Sequence, residues 1–100
     1  MYRMTITVER VQTGLRIEKR ILKVLKGLAE FKDISLGDLL EAIVLHAFEA
    51  KTAFGKDSLA KIEQLRAIYG LTLTAADSHL LVDAAERPRH APPKRRRTAR

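Results

Sequence analysis

The chain has 100 residues, no cysteine and a formal net charge of +7. The absence of cysteine excludes a disulfide framework, a thiolate metal site and a cysteine nucleophile. The sequence has no run of about 18 apolar residues and no signal-peptide core at its start, so we expect a cytoplasmic protein that spans no membrane.

The charge is distributed unevenly along the chain. Residues 1–32 carry a formal net charge of +5 and residues 33–86 carry −5, whereas residues 87–100 contain seven basic residues and no acid. Within residues 1–86, the N-terminal part is therefore expected to attract polyanions and the remainder is not.

Residues 87–100 predict a disordered basic tail, because they contain three prolines and almost nothing that could be buried. The basic cluster of this tail consists of Lys94, Arg95, Arg96 and Arg97. Such a run fits a non-specific tether to DNA, in which each neutralised phosphate steepens the salt dependence of binding. It fits a solubilising chain end equally well, and the sequence leaves both readings open.

Residues 3–9 give the one clear strand signal, an alternation with a period of two residues. One face carries Met4, Ile6 and Val8, and the other carries Arg3, Thr5, Thr7 and Glu9. Threonine and β-branched residues favour strands. Val11 breaks the alternation, which predicts that the strand ends near Arg10.

Two helices are predicted next, over residues 15–32 and 36–50. In the first, apolar side chains recur at helical spacing, and Gly27 permits a close approach by another backbone. The second is capped by Ser35, with Asp38 in capping-box position. Its apolar face is too broad for one neighbouring helix to bury, so we infer a subunit interface formed by Leu36, Leu39, Leu40, Ile43, Val44, Leu45, Ala47 and Phe48.

A C-terminal extension of one or two helices is predicted over residues 51–86. A third helix is expected to begin at a cap on Asp57 or Ser58 and to end at Gly70. The pair Thr74 and Asp77 resembles another capping box and predicts a fourth helix over residues 75–85.

A lone strand cannot satisfy its backbone hydrogen bonds within one chain. The economical solution is an antiparallel pair with the same strand of a second copy, which makes the protein a homodimer. The apolar face of this two-stranded ribbon would then cover the helical core, and its polar face would point outward.

A two-stranded ribbon fits the major groove of B-DNA, where arginine pairs with guanine and threonine donates, accepts or contacts the thymine methyl group. The free N-terminus of the second helix, at Leu36 and Gly37, suits a phosphate. Lys19 and Lys23 can add phosphate contacts, which position the protein without specifying sequence.

The order of strand, helix, short turn and serine-capped helix resembles the ribbon-helix-helix repressors of the Arc, MetJ and CopG type. The resemblance covers residues 3–50 and rests on the stretches RMTITVE, IEKRILKVLKGLAEF and ISLGDLLEAIVLHAF. It implies a mainly α homodimer with an intersubunit two-stranded antiparallel sheet. It also assigns base reading to Arg3, Thr5 and Thr7, and phosphate binding to the amides of Ser35, Leu36 and Gly37.

The sequence thus predicts a sequence-specific DNA-binding transcriptional regulator that acts as a homodimer and is located in the cytoplasm, at the nucleoid. Its core comprises residues 1–50, its helical extension residues 51–86 and its basic tail residues 87–100. A protein-interaction module acting through residues 51–86, as in an antitoxin, is the alternative, and a non-specific nucleoid-associated protein is a third reading. We expect no enzyme, no cofactor and no metal site, because no nucleophile–base set or glycine-rich phosphate loop is present and His46, His79 and His90 have no partners at ligand spacing.

Overall fold

A computed structural model describes residues 4–84, and this part of the chain is mainly helical, as predicted. It contains three α-helices: α1 at Lys19–Lys32, α2 at Leu36–Phe48 and α3 at Lys56–Tyr69. A single 3-10 turn, Ala75–Asp77, follows α3. None of the helices between residues 4 and 84 combines the length and hydropathy needed to cross a membrane.

Helix α1 begins four residues later than its apolar spacing predicts. Glu18 caps it, because its carboxylate accepts a hydrogen bond from the Ile21 N–H at 2.9 Å. This bond lowers the pKa of the Glu18 carboxyl below its ordinary value. Glutamate is not among the residues that usually cap helices, so the sequence pattern overlooked this start.

The turn between α1 and α2 forms as the sequence predicts. Asp33 ends α1 in the left-handed region, with a φ of 58°, which lets the Ile34 N–H bond the Ala29 carbonyl at 3.0 Å. Ser35 caps α2 by accepting from the Asp38 N–H at 3.0 Å. The Asp38 carboxylate binds elsewhere, so the predicted capping box forms only in its serine half.

Helix α3 begins after Gly55, so the predicted caps at Asp57 and Ser58 are wrong. Ser58 instead lies inside the helix and is buried, with its hydroxyl 3.3 Å from the Lys32 Nζ. Gly70 ends α3 in the left-handed region, as predicted, with a φ of 65°.

The predicted fourth helix over 75–85 is wrong for the residues that the structure describes, because only the turn Ala75–Asp77 forms. The Thr74 N–H donates to the Asp77 carboxylate at 2.8 Å, so the cap is present without the helix. None of the three residues of this turn is buried. A helix with no packed face is marginal in water, and the cap alone does not sustain it.

The core lies mainly between α1 and α3. Its buried members are Val24, Leu28, Ala29, Leu39, Leu65 and Leu71. Helix α2 contributes only Leu39 to this set, and its side chains Val44, Leu45 and Phe48 are exposed. The first part of the C-terminal extension therefore shares one core with α1, whereas the part of the α2 apolar face formed by Val44, Leu45 and Phe48 is left exposed.

Gly27 of α1 packs directly against Leu65 of α3. A Cβ atom at this position would lie 2.7 Å from the Leu65 Cδ2 and 3.2 Å from the Leu65 Cδ1. Real Cβ atoms do not come that close, and Leu65 is itself buried. The neighbour of Gly27 is thus a side chain and not the backbone that the sequence predicts.

We predict that Gly27→Ala destabilises the protein, because overpacking a core costs about 1–3 kcal/mol whereas the gain in helix propensity is about 1 kcal/mol. Chemical denaturation at one fixed protomer concentration measures the change. Gly37→Ala is the matched control, since a Cβ there meets only the Ser35 Oγ at 3.9 Å. If Gly27→Ala stabilises the protein as much as the control does, the packing argument is wrong.

Candidate nucleic-acid interface

The N-terminal segment, residues 4–10, lies outside every helix. The structure contains no strand within residues 4–84, and residues 4–17 make no backbone–backbone hydrogen bond to any residue of that range. Within the described part of the chain, the N–H and C=O groups of residues 4–10 are therefore available for a ladder with another chain. The intersubunit sheet itself stays a prediction.

Side chains of the N-terminal segment and of α2 line an open groove of about 500 Å³. Its apolar lining consists of Ile6, Val8, Leu40, Val44 and Leu45. Ile6 remains 85% exposed although it faces this groove, so residues 4–84 do not fill the groove. The predicted core face of the strand and the broad apolar face of α2 thus lie next to each other and are both open.

Arg10 fixes the end of the N-terminal segment on α2. Its Nε and Nη2 donate to the two carboxylate oxygens of Glu41 at 2.8 and 2.7 Å, and Nη2 also donates to Asp38 at 3.2 Å. Paired donation by a guanidinium to a carboxylate sets orientation as well as distance. We call this set, Arg10 with Asp38 and Glu41, the Arg10 clamp.

The Arg10 clamp changes the electrostatics at the start of α2. The hydrogen bonds from Arg10 lower the pKa of the Glu41 carboxyl, and the same contact raises the pKa of the Arg10 guanidinium. Both acids lie in the first two turns of α2, where uncompensated negative charge would repel a phosphate. Arg10 offsets part of that charge.

The sequence did not identify this clamp. The sequence predicts only that the strand ends near Arg10, and no local pattern links this residue to a helix about 30 residues away. The available signal was the spacing of Asp38 and Glu41, which places two acids on one face of α2 beside apolar residues.

Three of the five residues predicted to bind phosphate lie together in the structure. Ser35, Leu36 and Gly37 are consecutive at the N-terminus of α2, where the first backbone N–H groups have no partner inside the helix. Space around Gly37 is open, since the nearest side-chain atom to a Cβ there would be 3.9 Å away. This corner of the molecule can accept an anion sterically.

Lys19 and Lys23 lie at the opposite end of α1 from this corner. Lys19 is the first residue of α1 and Ser35 follows its last turn, so about 20 Å of helix axis separates them. Lys23 Nζ lies 5.5 Å from the centre of the Tyr69 ring on α3. One chain therefore does not bring these lysines together with Ser35, Leu36 and Gly37.

The structure describes two of the three residues that are predicted to read bases. Thr5 and Thr7 are exposed, as a reading face requires. Arg3 and the tail cluster Lys94, Arg95, Arg96 and Arg97 lie outside the described residues. Within residues 4–84, no group of three His, Asp or Glu side chains could hold a metal ion.

The chain matches no known family model, no curated protein and no solved structure. The resemblance to ribbon-helix-helix repressors therefore rests on the residues that carry it.

We predict that Arg10→Gln raises the pKa of Glu41 toward the ordinary value of a glutamate and loosens the N-terminal segment. The physical reason is that Arg10 supplies the largest contribution to the lowered pKa. Carboxyl NMR titration gives the pKa, and amide exchange of residues 4–9 reports the loosening. Because the folded-state pKa is lowered, the clamp stabilises above the ordinary pKa of glutamate and is lost as the pH falls through the lowered one.

Lys51→Gln is the matched control for Arg10→Gln. It removes another exposed ion pair, Lys51–Glu49 at 3.2 Å, just beyond the end of α2. We expect it to change neither the Glu41 pKa nor the exchange of residues 4–9. An unchanged Glu41 pKa in Arg10→Gln would show that the clamp does not form in solution.

Proposed function

We propose that this protein is a sequence-specific DNA-binding transcriptional regulator that acts as a homodimer. In this proposal, residues 3–9 of two copies pair as an antiparallel ribbon that enters the major groove. The observation that carries the proposal is the N-terminal segment itself. Residues 4–10 make no backbone–backbone hydrogen bond to any residue between 4 and 84, and they lie beside an open apolar groove on α2.

A second copy would both pair the backbone groups of the N-terminal segment and cover the apolar groove on α2. Two-fold pairing of the segments would complete their backbone hydrogen bonds. It would also bring two α2 faces together, including Phe48, which is 80% exposed in the single chain. Large exposed apolar patches on small proteins commonly mark interaction surfaces.

The polar face of the ribbon supplies the proposed base contacts. Thr5 and Thr7 alternate with Ile6 and Val8, so pairing that buries the apolar side chains turns the threonines outward. Arg3 completes the proposed reading set on the same face. Ser35, Leu36 and Gly37 would hold a phosphate beside the ribbon.

The remaining basic residues contribute affinity rather than sequence preference in this proposal. Lys19 and Lys23 lie on α1, at the end that follows the ribbon. The tail cluster Lys94, Arg95, Arg96 and Arg97 would act as a non-specific tether. Removal of these charges is expected to weaken binding to all sequences alike.

A protein-interaction role for residues 51–86 is the second candidate. Three consecutive apolar side chains, Leu80, Leu81 and Val82, are exposed after α3. Such a segment suits contact with a protein partner, as in an antitoxin, and this role is compatible with DNA binding by residues 1–50.

We predict that Thr5→Ala/Thr7→Ala reduces sequence preference, by about 1–3 kcal/mol for each base contact that is lost. Selection of bound duplexes from a random library, at a recorded salt concentration, measures this. The wild-type chain should enrich a two-fold symmetric site. Thr52→Ala/Thr72→Ala, which removes two exposed threonines beyond α2, is the matched control. Equal preference in both double variants would remove the ribbon as the reader.

We predict that Phe48→Lys weakens dimerisation, because it places two like charges in the apolar interface formed by the α2 faces. Sedimentation over a range of concentrations measures the dimer fraction, and circular dichroism checks the helices. Ile68→Lys is the matched control, since Ile68 is also exposed and lies near the end of α3. A wild-type chain that is monomeric at micromolar concentration, or equal dimer fractions in both variants, would contradict the proposal.

A further inference from the structure

The Arg10 clamp is the polar contact that holds residues 4–10 on the helices. Among the hydrogen bonds within residues 4–84, only those of Arg10 join this segment to a helix. Its apolar side chains Ile6 and Val8 are 85% and 58% exposed beside the groove, so packing holds them loosely. Within one chain, the place of the segment on α2 therefore depends mainly on Arg10.

The contacts of Arg10 constrain orientation as well as distance. The Nε and Nη2 atoms donate to separate oxygens of Glu41 at 2.8 and 2.7 Å. A guanidinium held by both oxygens of one carboxylate cannot rotate or slide freely. Asp38, which accepts from Nη2 at 3.2 Å, lies one turn before Glu41 on the same helix. The anchor is thus built on a regular element of the fold.

This anchor lies close to the side chains that are proposed to read bases. Thr7 and Thr5 precede Arg10 by three and five residues, which is about 10 and 17 Å along an extended chain. Antiparallel pairing of two copies would place one Arg10 at each end of the ribbon. A ribbon about 24 Å long would then be fixed to a helix at both of its ends.

We propose that Arg10 is a positioning residue for base reading. Held by the carboxylates of α2, it sets the depth and angle at which Thr5 and Thr7 enter the major groove. This inference rests on the proposed function in taking DNA as the ligand and the ribbon as the reader. Hydrogen bonds to base edges require close and well-aligned atoms, whereas attraction between charges and phosphates tolerates small displacements. Loss of the clamp therefore lowers sequence preference and leaves non-specific affinity in place.

Two other roles of Arg10 would leave different signatures. An ion pair that only stabilised the dimer would change the dimer fraction when it is broken. The Arg10 and Glu41 side chains are 60% and 47% exposed, and ion pairs this exposed contribute little to stability. A phosphate ligand would be released by loss of Glu41, and DNA binding would then tighten with the sequence preference intact.

The test combines selection of bound duplexes from a random library with binding of a random-sequence duplex at several salt concentrations, both with the full chain. Arg10→Lys keeps the charge but cannot bind both oxygens of a carboxylate as a planar fork. We expect it to lower enrichment of the preferred site at least about fivefold, the lower limit for one lost base contact. Its binding to the random-sequence duplex should stay within about twofold of wild type, with an unchanged salt slope.

Glu41→Ala removes the other half of the clamp and separates position from charge. Because it removes a negative charge, non-specific binding should stay equal or tighten, while enrichment falls as in Arg10→Lys. The two changes together should cost no more preference than the larger one alone, since both break one contact. Glu63→Ala is the matched control, because it removes the same charge from an exposed position on α3, and it should keep the full preference.

Full enrichment in both clamp variants overturns the proposal. So does an equal loss in Glu63→Ala, additive losses in the double variant, or a loss that accompanies a fall in the dimer fraction measured by sedimentation. These outcomes differ from failure of the proposed function. Clamp variants that keep the preference of a selective wild-type chain overturn the positioning role alone, whereas a wild-type chain that selects no site overturns both.

Discussion

Residues 4–84 leave much of the apolar face of helix α2 exposed, and the proposed dimer depends on that exposure. Only Leu39 of this helix is buried, because α1 packs mainly against α3 rather than against α2. A helix with so much exposed apolar surface is stable in water only when something else packs against it. The N-terminal segment borders this surface without filling it, and the proposed homodimer would cover it with a second copy.

The Arg10 clamp links the exposed face of α2 to the DNA recognition that we propose. A strand that pairs only with another chain has no internal contacts to hold it at one depth on the helices. Arg10 supplies such a contact within its own chain, through both oxygens of Glu41 and one of Asp38. Side chains that read bases must be held by a rigid support. In the proposed dimer, an ion pair on the back of the ribbon sets the position of Thr5 and Thr7 on its front.

Local chemistry made some features predictable and tertiary contacts hid others. Ser35 and Gly70 were identifiable because a cap hydroxyl and a left-handed glycine act within a few residues of themselves. The start of α1 was missed because Glu18 caps it by an unusual carboxylate contact, and the 75–85 helix failed because nothing packs against it. The clamp and the Gly27–Leu65 contact join residues about 30 to 40 positions apart, which no periodicity reports.

Segregation of charge along the sequence has two consequences that oppose each other. The basic start of the chain suits a polyanion, yet one of its charges, Arg16, forms an ion pair with Asp83 from the acidic middle. Arg20 and Lys23 also contact that part of the chain, but at a neutral carbonyl and a tyrosine ring. A protein whose basic surface is partly neutralised from within binds arbitrary DNA more weakly, because non-specific affinity depends almost entirely on charge. In the proposed DNA-binding dimer, base contacts from the ribbon would not be reduced by this partial neutralisation. Weakening only the electrostatic part of binding therefore raises the ratio of specific to non-specific affinity, which is the quantity that a regulator needs.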